Sequence, residues 1–250
     1  MIGFITVRTS SSRLNNKCLL KFGSYNTLIE FIIQRCRDYK IEPIICTSLD
    51  SSDDIIEKIS SENNVKIYRG SLDNKIKRWS DCANFFQVDS FHSIDADDPF
   101  FDGQRMKESM QLLIKGDYDY VKPSFYSDNG GASEGYSIST EFLNKVALEH
   151  NSNNLDTEMA VYYFDNMKNS RKSVMQDPIY SIKVDQNIPR LTLDYFEDYI
   201  LLNFLELSVQ NNNNRSSIEK FISANKNVVS ININLNKVWK ESQKKKNIFK

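Results

Sequence analysis

Along the first hundred residues, short apolar runs of strand length alternate with longer stretches whose apolar residues recur every three or four positions. Ile2-Gly3-Phe4-Ile5-Thr6 is the first such run, and Pro43-Ile44-Ile45-Cys46-Thr47 and Val65-Lys66-Ile67-Tyr68 follow. Between them, Thr27 to Cys36 carries Leu28, Ile29, Phe31, Ile32 and Ile33 at helical spacing. Asp53 to Ile59 opens with acidic residues that suit the positive end of a helix dipole. A third helix is predicted around Ile76 to Phe86, and a fourth strand runs into Asp95-Ala96-Asp97-Asp98 and is stopped by Pro99. This alternation predicts an α/β chain with a parallel, doubly wound sheet that binds its ligand at the carboxyl ends of the strands.

Beyond residue 100 the pattern loosens. A helix begins near Gln104, Gly116 to Lys122 reads as a helix exit followed by a strand, and Tyr199 to Val209 and Ile218 to Ala224 read as amphipathic helices. Val228 to Ile233 is a short apolar run, and Lys244-Lys245-Lys246 is read as a solvated terminus. The stretch Ser127 to Ile138 holds Gly130, Gly131 and Gly135, three of the eight glycines, which suits either close backbone approach to a ligand or a flexible tip.

Composition narrows the class. With 250 residues, 40% of them hydrophobic, one domain spanning 1–250 is expected. Lys+Arg number 32 and Asp+Glu 33, so no broad basic field points to nucleic acid and any anion site must be local. Cys18, Cys36, Cys46 and Cys82 lack a CxxC pair, and His92 and His150 are far apart, which argues against a Cys/His zinc site and a disulfide framework. No signal-peptide pattern opens the chain and no apolar stretch is long enough for membrane insertion, so a cytoplasmic protein is expected. Asn211-Asn212-Asn213-Asn214 is read as compositional bias.

Candidate chemistry starts where the first strand ends. Val7 to Lys17 places Arg8, Arg13 and Lys17 in one hydroxyl-rich loop with Ser11 and Ser12. Phosphate oxygens want N–H groups, hydroxyls and positive charge converging at a strand end, with Arg as a two-oxygen fork and Lys as a point charge. A solvated Ser-rich turn has the same composition. The acidic turn at 95–98 offers hard oxygen ligands of the kind Mg²⁺ takes together with phosphates, and it reads equally as a solvated helix cap.

The spacing Arg8-x-x-x-Ser12-Arg13-Leu14-x-x-Lys17 resembles the opening signature of the cytidylyltransferases that activate acidic sugars, the superfamily of Kdo and acylneuraminate cytidylyltransferases, and most of all its spore-coat-polysaccharide branch. Asn15-Asn16 stands where that family usually has Pro-Gly. Tyr68-Arg69-Gly70-Ser71-x-Asp73, with Arg78-Trp79, is similar to a second family motif that handles base and ribose. Ala96-Asp97-Asp98-Pro99 resembles its metal turn, and Leu191-Thr192-Leu193-Asp194 its late strand-to-helix motif.

The resemblance implies a Rossmann-like, GT-A-like nucleotidyltransferase with a mostly parallel sheet flanked by helices. It implies CTP as donor, an acidic small-molecule acceptor, and CMP transfer with release of pyrophosphate. Mg²⁺ falls to Asp97 and Asp194, with Asp95 and Asp98 as neighbours. Phosphate handling falls to Arg8, Arg13 and Lys17, and nucleotide binding to Ser11, Ser12, Arg69, Gly70, Ser71, Asp73 and Arg78. Asp97 and Asp194 are each expected to end a strand at one sheet edge, where without metal they would repel. Residues 125–185 are expected to form an acceptor-binding and dimerisation subregion, with the aromatic run Tyr162-Tyr163-Phe164 as the interface of a homodimer. A phosphorylated or phosphonate acceptor, or a glycosyltransferase using a finished nucleotide sugar, is the alternative.

Overall fold

A computed structural model of the chain describes residues 1–11, 13–179, 183–184, 187–209 and 214–248, the last with side chains through 242. Ser12 and Asn211 to Asn213 lie outside the described residues, as do the side chains of Lys244 to Lys246.

The first half alternates as its periodicity predicts. Strand β1 (Ile2–Thr6) is followed by α1 (Leu28–Asp38), β2 (Glu42–Ser48), α2 (Asp54–Glu62), β3 (Lys66–Gly70), α3 (Lys75–Phe85) and β4 (Ser90–Asp95). Helix α1 begins where Thr27 accepts from the Glu30 N–H at 3.2 Å while the Glu30 carboxylate accepts from the Thr27 N–H at 2.7 Å. Such a reciprocal cap contributes about 1 kcal/mol and fixes the start of the helix. Then come α4 (Gly103–Lys115), β5 (Tyr120–Lys122), α5 (Phe125–Asp128), β6 (Ser137–Ser139), α6 (Thr140–Glu149), α7 (Ala160–Asn166) and β7 (Lys172–Val174). The chain continues with α8 (Phe196–Val209), α9 (Arg215–Ala224), α10 (Lys226–Val229) and α11 (Leu235–Ile248).

The strands form one sheet in the order β3-β2-β1-β4-β6-β5-β7. The pairs β1·β2, β1·β4, β2·β3 and β5·β7 are parallel, and β6 runs antiparallel to both of its neighbours. Alternation along the strands divides the core. Ile5, Ile45 and Ile94 face a cluster with α1, α4, α8 and α9, whereas Phe4, Ile44 and Phe91 face Trp79, Phe142 and Phe164 on the other side.

The second half adds detail that its looser pattern did not predict, and two expectations change. The glycine-rich stretch runs from the end of α5 into β6, a strand too short for a two-residue period to register, and its glycines lie between the two elements. Residues 188–195 form no strand; Leu191 N–H donates to Gly130 O and Leu193 N–H to Asp97 O as separate bonds. The apolar run at 228–233 is the end of α10 and a turn, and the backbone of Lys244 to Lys246 belongs to α11. Finally, Phe164 is fully buried against Tyr120 and Phe142 and Tyr163 donates to Asp156 O, so the run 162–164 is no continuous aromatic surface.

Candidate active site

β1 and β4 are neighbours, yet from β1 the connections run to β2 on one side and eventually to β4 on the other. Their carboxyl ends therefore open a crevice, the place where open α/β sheets bind ligands. A cavity of about 850 Å³ lies there. Arg8, Ser11, Arg13 and Lys17 line it from the loop after β1, Asp95, Asp97 and Asp98 from the end of β4, and Arg190, Thr192 and Asp194 from the late segment.

A buried carboxylate pegs the loop in place. Asp53 accepts from the N–H and hydroxyl of Thr9 at 2.8 Å each through Oδ1, and from Thr47 and Ser48 through Oδ2. Burial alone would raise this carboxyl, but the donors outweigh it and hold the group below the usual carboxylate range. Its sequence position suggested only a helix first turn; the partners that give it this role come from two other segments.

Lys17 is the centre of the charge network. Its ammonium donates to Asp97 Oδ2 at 2.8 Å, to Asp194 Oδ1 at 2.9 Å and to Leu193 O at 2.9 Å. Arg13 Nη2 meets the same Asp194 Oδ1 at 2.6 Å, and Arg190 Nη2 meets Asp194 Oδ2 at 2.6 Å while its Nε reaches Asp198. Burial would raise the Asp194 carboxyl, yet Lys17 and Arg13 outweigh it and hold it at about 2. Burial would likewise lower Lys17, and the two aspartates more than reverse that. The two carboxylates thus converge as expected, but not bare: Lys17 lies between them, and Asp194 arrives on an extended segment outside the sheet.

The remaining cation of the loop turns elsewhere. Arg8 donates to Leu72 O at 2.7 Å and pairs with Glu158 at 2.9 Å. Beside it is a lysine that the sequence did not single out. Lys75 Nζ pairs with Asp95 at 2.9 Å, lies 3.8 Å from Glu158 and sits 4.8 Å above the Trp79 ring, with 5% of its side chain exposed. Trp79 in turn donates to the Thr6 hydroxyl at 2.8 Å. A lysine at the first position of a helix ordinarily reads as solvated; Asp95, Trp79 and Glu158 surround this one.

The second motif stands behind the cavity rather than in it. Arg69, Gly70, Ser71, Asp73 and Arg78 are absent from its described lining. Arg69 braces Ser48 O, Asp50 O, Asp54 and Glu57. Arg78, fully buried, donates to the Ser71 and Leu72 carbonyls, and a Cβ on Gly70 would come within 3.1 Å of Arg78 Cγ. Ser71 Oγ donates to Asn153 O, and Asp73 O accepts from Thr157 N–H. Together these contacts set the start of α3 and the segment 153–158, which place Lys75, Trp79 and Glu158.

The donor set fits a hard divalent cation. Asp97 and Asp194 bring carboxylate oxygens within 2.9 Å of one ammonium, and burial together with the charges of Asp97 and Asp95 pushes the neighbouring Asp98 up to about 8. Mg²⁺ commonly takes one or two protein carboxylates and completes its shell with phosphate and water. No group of three or more His, Cys, Asp or Glu in metal-holding geometry is found among the described residues.

The sequence profile of a cytidylyltransferase family matches residues 2–241. The chain belongs to that family. This cytidylyltransferase is 26% identical over 241 residues to an uncharacterised protein of Methanocaldococcus jannaschii, covering 94% of this chain and 95% of the relative. Its fold is similar to a cytidylyltransferase from Leptospira borgpetersenii serovar Hardjo-bovis, with a TM-score of 0.78 and 21% identity over 91% of this chain and 95% of that one. It is also similar to a CMP:2-keto-3-deoxy-manno-octonic acid synthetase complexed with CTP, with a TM-score of 0.60 and 11% identity over 83% and 98% of the two chains. The structures speak for the fold and the family match for the enzyme class, a nucleotidyltransferase. The resemblance read at residues 8–17 and 96–99 holds at the level of the family, and the mostly parallel, helix-flanked sheet is the fold of its structural relatives.

Proposed function

We propose that this cytidylyltransferase transfers CMP from CTP to an acidic sugar, a 3-deoxy-2-keto acid of the Kdo or nonulosonate type, for surface polysaccharide biosynthesis. The observation that carries the reading is the meeting of Arg13, Lys17, Asp97 and Asp194 in one cavity at the carboxyl ends of β1 and β4. In the reaction an acceptor hydroxyl oxygen bonds to the α-phosphorus while the bond from that phosphorus to the bridging oxygen breaks. The electron pair leaves with pyrophosphate and the hydroxyl proton passes to solvent.

Arg13 and Lys17 stabilise the triphosphate and the departing pyrophosphate with charge-assisted hydrogen bonds. Arg8 and Ser11 serve the nucleotide from the same loop, while Arg69, Gly70, Ser71, Asp73 and Arg78 act on it through the wall they support. Asp97 and Asp194 would hold Mg²⁺, which when bound supplies charge neutralisation at the phosphates. Phosphates entering the cavity offer Lys17 and Arg13 alternative partners; departure of Lys17 releases Asp97 Oδ2, and departure of both cations releases Asp194 Oδ1 while Arg190 keeps Oδ2. A homodimer using the half-exposed Tyr162 face of α7 completes the reading; a monomer mass by light scattering at micromolar concentration removes that part.

Pyrophosphate release tests the whole. CTP with Kdo or N-acetylneuraminate should yield it in a Mg²⁺-dependent manner, with CTP preferred to ATP and GTP. Activity confined to phosphorylated or phosphonate acceptors overturns the acidic-sugar reading, and tighter binding of a purine nucleotide overturns the donor.

A further inference from the structure

One wall of the cavity is built by the last helix. Asn236, Trp239 and Lys240 of α11 all line the cavity, and their i, i+3, i+4 spacing puts them on one helix face. That face is anchored. Asn236 accepts from Arg190 Nη1 at 2.9 Å and donates to Asn129 O at 3.2 Å and Ile188 O at 3.4 Å. Asn232, fully buried just before the helix, donates to Arg190 O at 3.0 Å and to Asp198 at 2.9 Å. Arg190 also pairs with Asp194, so the residue that steadies the carboxylate centre positions α11 as well.

Charge pairing separates Lys240 from the other cations of the cavity. Arg8, Arg13, Lys17, Lys75 and Arg190 each have a carboxylate partner within 2.9 Å. Lys240 instead donates to a neutral acceptor, the side-chain oxygen of Asn129. Its charge also pulls on Asp128, which burial nonetheless pushes up to about 6. An arriving anion can therefore replace the Asn129 amide without breaking an ion pair. Trp239 adds an aromatic surface next to that ammonium, and a sugar acid offers both a carboxylate and an apolar ring face.

We propose that Lys240 and Trp239 form the acceptor subsite, with Lys240 Nζ holding the acceptor carboxylate and the Trp239 indole lying against the sugar ring. This rests on the reading of the acceptor as an acid and gives that acid its place. In the ring form of a 3-deoxy-2-keto acid, carboxylate and attacking hydroxyl sit on the same carbon, so fixing the one orients the other.

The experiment compares wild type with Lys240→Ala, Lys240→Arg and Trp239→Ala, measuring pyrophosphate release at saturating CTP with Kdo and N-acetylneuraminate and with the C1 amide of each. Lys240→Ala should raise the KM for the accepted acid at least tenfold, keep the KM for CTP within twofold and remove the preference for acid over amide. Lys240→Arg should recover most of the loss, and Trp239→Ala should raise the acceptor KM several-fold. Lys240 is exposed, so melting temperatures should match. An unchanged acceptor KM in Lys240→Ala, equal use of acid and amide by wild type, or turnover of neither acid by a protein that binds CTP overturns the subsite. Failure to bind CTP, read separately by calorimetry, instead overturns the donor assignment.

Discussion

Asp194 holds Arg13, Lys17 and Arg190 within 2.9 Å while only 2% of its side chain is exposed. Replacing it with Asn leaves three cations facing one another around a neutral amide, so Asp194→Asn should lower the stability of the metal-free protein by roughly 3–5 kcal/mol. Asp97 is 28% exposed and, among the described residues, forms its ion pair with Lys17 alone, so Asp97→Asn should change stability by about 1 kcal/mol or less. Urea denaturation of both variants checks the contrast, and equal midpoints contradict it.

His92 offers a second test at this scale. It is fully buried, and its Nε2 lies 2.6 Å from Glu134 O and its Nδ1 2.8 Å from Ser137 Oγ, which assigns the proton to Nε2. Burial pushes its pKa down to about 4. A base whose folded pKa lies below its unfolded value of about 6.5 contributes stability above pH 6.5 that is lost as pH falls toward 4, by about 3 kcal/mol in all. Asp128, raised to about 6, works in the opposite sense, so imidazole NMR isolates the effect better than a global curve. The His92 ring should stay neutral at pH 5; titration near 6.5 sinks the assignment. Arg13, Lys17, Asp97 and Asp194 were legible in the sequence because each sits in a punctuated motif. Lys75 was not, since its partners Asp95 and Glu158 come from other segments.

Helix α11 and the glycine-rich loop meet at Gly130, whose φ of +103° is rarely adopted by L residues and where a Cβ would lie 2.6 Å from Asn236 Nδ2. Gly130→Ala should cost about 1–3 kcal/mol of stability and shift the helix, raising the acceptor KM more than the KM for CTP. A variant with wild-type melting and kinetics would show that the loop and helix do not act together. Elements from β1 to β4 could be read from the sequence because several apolar positions per element repeat one period. Strand β6, with Ser137-Ile138-Ser139, offers one apolar residue. The extended segment before Asp194 is held by two isolated backbone bonds, to Gly130 O and Asp97 O, that no periodicity encodes. Helix α11 was hidden by its polar, Lys-rich composition.

The switch of direction between β1 and β4 gathers Arg8, Arg13, Lys17 and Asp97 at one edge of the sheet, as the alternation of the first half predicts, whereas Asp194 is brought there by the segment that binds Gly130 O and Asp97 O. The second half of the sheet joins differently. Its three strands, β6, β5 and β7, attach through β6, which meets β4 over three register pairs, whereas β1 meets β2 over five. Two cooperative units of unequal stability follow from so narrow a junction, and sub-global opening should run through it. In native-state hydrogen exchange the amides of β5 and β7 should lose protection together, at a free energy below that of β1, β2 and β4. The loop bearing Gly130 belongs to the weaker unit and the loop of Arg8 to Lys17 to the stronger one. Breathing of the enzyme would then open the side proposed for the acceptor while leaving the side proposed for the nucleotide closed.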